Sequence, residues 1–133
     1  MHGCNGKMGK VICDLVNKDA DAEIVAGIDI AGANAPFPVF TDIKDCNVEA
    51  DAIIDFTTAS AVPAVIDYAV EKNIPAVICT TGLSDETMDS ARNRIGDLSK
   101  IHNVSTYIAR VGLYLTTSKS TEVTSIHYSL KSL

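Results

Sequence analysis

The sequence has no cluster of basic residues, no long apolar run and no closely spaced cysteines, and each absence excludes a class of protein. It has 11 basic against 17 acidic residues, and its formal net charge is -6. Nucleic acids and anionic membranes attract a positive field, so we expect neither as a partner. The apolar runs are too short to span a membrane, and no basic stretch leads into an apolar one as in a signal peptide. We therefore expect a cytoplasmic protein.

The cysteine spacing argues against a disulfide framework and against a metal site. The four cysteines are Cys4, Cys13, Cys46 and Cys79. No pair has the spacing of a zinc knuckle or of a thioredoxin-type redox motif. We therefore expect reduced thiols and no bound metal. A chain of 133 residues is long enough to bury a core without either.

Apolar residues alternate between the period of a buried strand and the period of an amphipathic helix. The strand pattern occurs at 23–29, 39–43, 51–55 and 74–79. The helix pattern occurs at 8–16, at 62–70 with Pro63 in the first turn, and again from Ser84 or Asp85. Apolar strands alternating with amphipathic helices predict an α/β fold with a doubly wound parallel sheet, which is Rossmann-like.

A glycine-rich turn, Gly3-Cys-Asn-Gly6-Lys-Met-Gly9, opens directly into the first helix. Such a turn lets the backbone approach a pyrophosphate, and the helix directs its free amides and positive dipole at the anion. The spacing is GxxGxxG instead of GxGxxG, and glycine turns without a ligand are common. Asp29 adds support because it ends the next strand, about twenty residues on, where a carboxylate binds an adenosine ribose. The alternative is that Asp29 only caps a turn.

Two further segments follow predicted strands, at the sheet edge where ligands bind in open α/β folds. Asp55-Phe-Thr-Thr58 follows one strand and Cys79-Thr-Thr-Gly82 follows the next. Their hydroxyls and amides could contact the phosphates, the ribose or the nicotinamide amide of a cofactor. The alternative is ordinary turn chemistry, for which Thr and Gly are suited. Asp55 in particular is open to a purely structural role.

These pieces, in this order, resemble the N-terminal domain of the 4-hydroxy-tetrahydrodipicolinate (dihydrodipicolinate) reductases, from residue 3 to about residue 100. The resemblance implies hydride transfer from NADH or NADPH to the dihydrodipicolinate-type intermediate of lysine and diaminopimelate synthesis. It also implies a dicarboxylate substrate and a homotetramer assembled through a separate C-terminal domain. The resemblance assigns cofactor binding to Gly3, Cys4, Asn5, Gly6, Lys7, Met8, Asp29, Phe56, Thr57, Cys79, Thr80 and Thr81.

The chain departs from the family pattern at both ends. The glycine turn begins at residue 3, so we expect the first strand to be missing or reduced to Met1 and His2. We expect a dinucleotide-binding domain at 1–101, truncated at its amino end and without the substrate domain, followed by a divergent tail at 102–133. In that tail Tyr107-Ile-Ala-Arg-Val-Gly-Leu replaces the family's Ala-Asn-x-Ser segment, and a shifted reading frame is one hypothesis for its origin.

The family's histidine-rich substrate motif is also absent. His2, His102 and His127 are isolated, and we expect surface or structural roles for them. No catalytic residue is therefore assigned, and the chain alone is not expected to be catalytically competent.

Two alternative functions stay open on the sequence alone. One is a CoA-binding domain of the succinyl-CoA ligase type, and the other is a remnant without function. If the chain does bind a nicotinamide cofactor, Asp29 would repel a 2′-phosphate and Ile30 follows it where some family members have arginine. These residues favour NADH, while the nearby Lys7 and Lys10 leave NADPH use open.

Overall fold

The computed structural model describes the backbone of residues 1–32, 35–102, 105–109 and 112–116, and the side chains of residues 1–32 and 35–94. The helices are α1 (Lys7–Val16), α2 (Val62–Lys72) and α3 (Asp85–His102), with a short 3-10 helix at Ile43–Asp45. The strands are β1 (Gly27–Ile28), β2 (Val39–Phe40), β3 (Ile53–Asp55), β4 (Ala76–Ile78), β5 (Ser105–Ala109) and β6 (Gly112–Thr116). None of the described helices has both the length and the apolar character needed to cross a membrane.

A single residue, His2, takes the place of the first strand in the centre of the sheet. β1 pairs in parallel with β2, and β3 pairs in parallel with β4. His2 forms a parallel bridge to Ile28 on one side and to Asp55 on the other, so it joins the two pairs into one sheet. The strand expected to be missing or reduced is thus reduced to one bridging residue, and the parallel order β2, β1, His2, β3, β4 is that of a Rossmann-like fold.

Beyond β4 the sheet continues with antiparallel strands. β6 runs antiparallel to β4, and β5 runs antiparallel to β6. These two strands lie in the segment that the sequence identifies only as a divergent tail with weak apolar periodicity. Thr, Tyr and Ile nevertheless occur in β5, and these residue types favour a strand even without clear alternation. The rest of the tail, from residue 117 and including His127, lies outside the described residues.

The predicted helices match the structure closely, whereas the strands are shorter than their apolar patterns. Pro63 lies in the first turn of α2, and Ser84 caps α3, where its Oγ accepts a hydrogen bond from the Thr87 amide at 3.2 Å. The apolar pattern at 23–29 yields only β1, because its neighbours His2 and β2 offer very few residues to pair with. Strand length here is therefore set by the pairing partner.

The main core lies between the sheet and α2, and α3 packs against α2. Its fully buried members include Val62 and Val65 from α2 and Ile78 from β4. Tyr68 lies at its margin and donates a hydrogen bond to the Cys46 carbonyl at 3.0 Å. Burial of these apolar side chains holds β3 and β4 in register, and the ends of these two strands support half of the site described next.

Candidate cofactor-binding site

Four loops meet at one edge of the sheet, because parallel strands direct their carboxyl ends to the same side. The glycine turn follows His2, Asp29 follows β1, Phe56 and Thr57 follow β3, and Cys79 follows β4. The chain leaves His2 toward β1 on one side, while β3 lies on the other, so this edge is a topological switch point. Ligands of open α/β sheets bind at such a point.

The glycine turn is packed too tightly for side chains at two of its positions. Gly3 has φ +78°, and a Cβ there would lie 2.6 Å from the Phe56 carbonyl oxygen. A Cβ on Gly9 would lie 2.0 Å from the Gly3 carbonyl oxygen. These contacts seat the amino end of α1 directly on the turn and hold the turn against the end of β3.

None of the described residues caps the amino end of α1. Its N-cap residue, Gly6, provides no side-chain hydrogen bond, and the first turn contains no acidic residue. Within the described residues the amides of Lys7 and Met8 make no hydrogen bond. Gly6, Lys7 and Met8 are all exposed. This end of the helix therefore presents free N–H groups and a positive dipole to solvent, which suits an anion.

Asp29 connects the glycine turn to the loop after β1. Its Oδ2 accepts a hydrogen bond from the Asn5 amide at 3.0 Å, and its Oδ1 accepts one from the Ala31 amide at 3.0 Å. The Asn5 side-chain amide also donates to the Gly32 carbonyl. Asp29 therefore does cap a turn, as the alternative reading held. It is only half-buried, and each carboxylate oxygen can still accept another hydrogen bond.

Asp55 differs from Asp29 because it is completely buried and fully bonded. Its exposed fraction is 0%. Thr57 Oγ1 donates to its Oδ1 at 2.7 Å, and Thr80 Oγ1 donates to its Oδ2 at 2.6 Å. Thr80 Oγ1 in turn accepts a hydrogen bond from the Thr57 amide at 3.1 Å. Both threonine hydroxyls, predicted to contact a cofactor, are thus directed inward at this carboxylate.

His2 is buried beside the same carboxylate. Its Nδ1 lies 2.7 Å from Asp55 Oδ1, which is the separation of an ion pair. The two groups are not aligned as a hydrogen bond requires. Burial alone would raise the pKa of Asp55, but His2 and the two threonine hydroxyls outweigh burial and lower it below 3.8. Asp55 is therefore an ionised carboxylate in the protein interior. No local sequence pattern predicts this pairing, because His2 and Asp55 are far apart along the chain.

Two cysteines of the site are protonated thiols. Cys4 is buried, and its Sγ is the atom that a Cβ on Gly27 would meet at 2.6 Å. Burial raises the pKa of Cys4, and the nearby Asp29 carboxylate raises it further. Burial and the Asp55 charge raise the pKa of Cys79 to about 11. Neither side chain is a thiolate at neutral pH, so neither is an activated nucleophile.

The remaining predicted residues lie at the same edge, but with different exposure. Phe56 is half-buried, and its amide donates to the His2 carbonyl at 3.1 Å. Thr81 is exposed, as is Ile30 next to Asp29.

Among the residues whose side chains are described, no three His, Cys, Asp or Glu groups come close enough to hold a metal ion. A groove of about 230 Å³ lies elsewhere, between α2 and α3, and contains none of the strand-end residues.

This arrangement defines an open α/β domain of the Rossmann type, with a glycine turn at the amino end of its first helix. The family model described as "Dihydrodipicolinate reductase, N-terminus" matches residues 1–105. The chain therefore belongs to the dihydrodipicolinate reductase family.

Individual relatives agree with this assignment. The 4-hydroxy-tetrahydrodipicolinate reductase of Caldanaerobacter subterraneus is 42% identical over 88 residues, which is 66% of this chain and 35% of that protein. The enzyme of the same name from Clostridium novyi is 40% identical over 102 residues, or 76% of this chain and 39% of that protein. The matched segment thus covers less than half the length of each of these curated relatives.

A solved structure also matches this fold. It is a dipicolinate-bound dihydrodipicolinate reductase from Paenisporosarcina sp. TG-14, with a TM-score of 0.62 and 25% sequence identity. The match covers 71% of this chain and 41% of that one. The shared fold therefore extends over most of the present chain.

The charge state of Asp55 predicts how stability changes in acid. The folded-state pKa of Asp55 lies below its ordinary value. Its stabilising contribution is therefore complete above the unfolded pKa and is lost as the pH falls through the lower, folded value. Replacing Asp55 by Asn removes this contribution and should lower the free energy of unfolding by about 2 kcal/mol near neutral pH.

Urea unfolding of the wild type and of Asp55→Asn, from about pH 6 down to about pH 3, measures this effect. The difference between the two proteins should shrink as the pH falls below about pH 4. Exposed carboxylates titrate in both proteins and cancel in the difference. A difference that stays the same down to the lowest pH would contradict a charged Asp55.

Proposed function

We propose that this chain is the dinucleotide-binding domain of a 4-hydroxy-tetrahydrodipicolinate reductase and that it holds NADH, or less tightly NADPH, at the carboxyl edge of its sheet. The observation that carries the proposal is the juxtaposition of two features on adjacent strands. The uncapped amino end of α1 follows His2, and the half-buried carboxylate of Asp29 follows β1. The hydrogen bond from the Asn5 amide to Asp29 couples the two.

The pyrophosphate is assigned to the amino end of α1. The exposed amides of Lys7 and Met8 would donate to its oxygens, with the glycine turn from Gly3 to Gly6 beneath it. The backbone of Gly6 has φ -67° and ψ 169°, which any residue adopts. A Cβ there would meet only the Gly3 carbonyl oxygen, at 3.2 Å. At 3.2 Å this contact is tight, and the Gly3 carbonyl would have to shift by a few tenths of an ångström. The fold thus demands glycine less strongly at this position than at Gly3 or Gly9, whereas a pyrophosphate lying on the backbone adds its own demand.

The adenosine ribose is assigned to Asp29, whose two oxygens can each accept a further hydrogen bond from a ribose hydroxyl. A 2′-phosphate at this position would be repelled by the carboxylate. Ile30, which is 92% exposed, offers no positive charge to offset that repulsion. NADH is accordingly preferred. Lys7 and Lys10 are exposed cations on α1, which makes the discrimination incomplete.

The nicotinamide end is assigned to the segments after β3 and β4, namely Phe56 and Thr57 with Cys79, Thr80 and Thr81. Because the hydroxyls of Thr57 and Thr80 are bonded to Asp55, these segments would present backbone groups and the exposed Thr81 to the cofactor. When bound, the dinucleotide supplies the hydride, and these residues orient it.

We assign only cofactor binding, and no step of substrate reduction, to the described residues. A dihydrodipicolinate-type dicarboxylate would be the hydride acceptor, within the homotetrameric assembly that the family resemblance implies. No described residue is assigned as an acid or a base for that step. Four free cysteines favour a reducing compartment, so we place the protein in the cytoplasm.

Calorimetric titration with NADH and with CoA tests the cofactor assignment. We expect saturable one-to-one binding of NADH in the micromolar range, about -8 kcal/mol, and no binding of CoA. Gly6→Ala should weaken NADH binding about tenfold or more, because the methyl group keeps the pyrophosphate from the helix amides.

Asn17→Ala, at the other end of α1, is the matched control and should bind NADH like the wild type. Circular dichroism and thermal melting confirm that both variants fold. Full affinity in Gly6→Ala would contradict the pyrophosphate assignment. Binding of CoA but not NADH would favour the alternative CoA-binding class, and no binding of either ligand would mean a domain without function.

Cofactor preference provides a separate test of Asp29. Asp29→Ala removes hydrogen bonds to the ribose of NADH but also removes the repulsion of a 2′-phosphate. The substitution should therefore weaken NADH binding more than NADPH binding, and the ratio of the two dissociation constants should move by about tenfold.

Asp19→Ala is the control for this test. Asp19 makes the same kind of local turn, in which its Oδ1 accepts the Asp21 amide at 2.9 Å, beyond the carboxyl end of α1 and away from the strand ends. This variant should lose a similar turn contact and leave the ratio unchanged. Equal losses of NADH and NADPH affinity in Asp29→Ala would count against the ribose assignment.

A further inference from the structure

The carboxylate of Asp55 lies at the end of β3 and yet has no access to a ligand. It is completely buried. One oxygen accepts Thr57 Oγ1 at 2.7 Å and lies 2.7 Å from His2 Nδ1, and the other accepts Thr80 Oγ1 at 2.6 Å. Any effect of Asp55 on a bound cofactor must therefore act through the residues that it contacts.

These contacts connect three neighbouring strand ends. His2 is the central strand, Thr57 follows β3 and Thr80 follows β4. The Thr80 hydroxyl donates to Asp55 and also accepts the Thr57 amide at 3.1 Å, so its orientation is fixed. The result is a closed ring of hydrogen bonds through Asp55, Thr57 and Thr80. This ring fixes the direction of the Thr57 peptide plane relative to the end of β4.

Considered for folding only, burying a charge at this position lowers the stability of the protein. An ionised carboxylate loses its hydration on burial, and apolar residues such as the neighbouring Ile53 and Ile78 would fill the sheet at lower cost. The charge is retained together with a complete set of donors. Such a network specifies one geometry more narrowly than apolar packing does.

We propose that Asp55 is a positioning residue for the nicotinamide end of the cofactor. Through Thr57 and Thr80 it holds the segments after β3 and β4 in the geometry that receives the nicotinamide ring, without touching the ring itself. This inference rests on the proposed function, because it assumes that a nicotinamide dinucleotide is the ligand. It adds a role for a residue that the cofactor assignment leaves out.

Two ligands separate a local effect at the nicotinamide end from a general loss of the site. NADH occupies the whole edge, whereas ADP-ribose lacks the nicotinamide and occupies only the region of α1 and Asp29. Asp55→Asn and Thr80→Val should weaken NADH binding about tenfold and leave ADP-ribose binding within about twofold of the wild type. Thr80→Ser, which retains the hydroxyl, should bind both ligands like the wild type.

Tyr68→Phe is the matched control for buried hydrogen-bond loss. It removes the bond from the Tyr68 hydroxyl to the Cys46 carbonyl, which lies outside the strand-end segments. It should lower thermal stability without changing the affinity for either ligand. Equal losses of NADH and ADP-ribose affinity in Thr80→Val, or unchanged NADH affinity in both Asp55→Asn and Thr80→Val, would overturn the positioning role.

Binding of neither ligand by the isolated chain would contradict the proposed function itself. Amide hydrogen exchange still tests the role of Asp55 in that case. Thr80→Val should then accelerate exchange at residues 56–58 and 79–82 relative to the amides of α2. Uniform acceleration, or none, would mean that Asp55 and its threonines do not order these segments.

Discussion

The pairing of His2 with two strands at once is the constraint on which the rest of the structure depends. Its amide donates to the Ile54 carbonyl at 2.9 Å, and its own carbonyl accepts the Phe56 amide at 3.1 Å. On the other side the Gly3 amide donates to the Ile28 carbonyl at 2.8 Å. With so few backbone bonds, one residue supplies the central strand of the sheet. The glycine turn, and with it the amino end of α1, is placed at the sheet edge by this pairing.

The two aspartates at strand ends show how the same residue type serves different purposes in this domain. Asp55 is fully enclosed and uses both oxygens within the protein, so it belongs to the framework. Asp29 is half-buried and accepts one amide on each oxygen, which leaves capacity for a ligand. Solvent access and remaining hydrogen-bond capacity separate the two, and the residue type does not.

Much of the fold could be predicted because helices and the glycine turn are local in sequence. The periodicity at 8–16 and the cap at Ser84 depend on neighbouring residues, and the structure confirms both. Strand lengths were harder to predict, because β1 is limited by its partners. The sequence does not predict the β5–β6 hairpin, because Ser and Thr weaken the apolar alternation by which a strand is recognised.

The site could be located from the sequence, but the direction of its side chains could not. Four glycine- or threonine-containing segments were expected at one sheet edge, and the topology brings them there. The inward turn of the Thr57 and Thr80 hydroxyls depends on Asp55 being buried beside His2. That contact joins residues more than fifty positions apart, and no local pattern indicates it.

We propose above all that the amino end of α1 binds the pyrophosphate of a nicotinamide dinucleotide. The most direct measurement is the change in amide chemical shifts of the isotope-labelled chain on titration with NADH. We expect the largest shifts at Lys7 and Met8, with further shifts around Asp29 and residues 79–81, and little change along the α2–α3 groove. Saturable shifts confined to that groove, or no shifts at Lys7 and Met8, would contradict the claim.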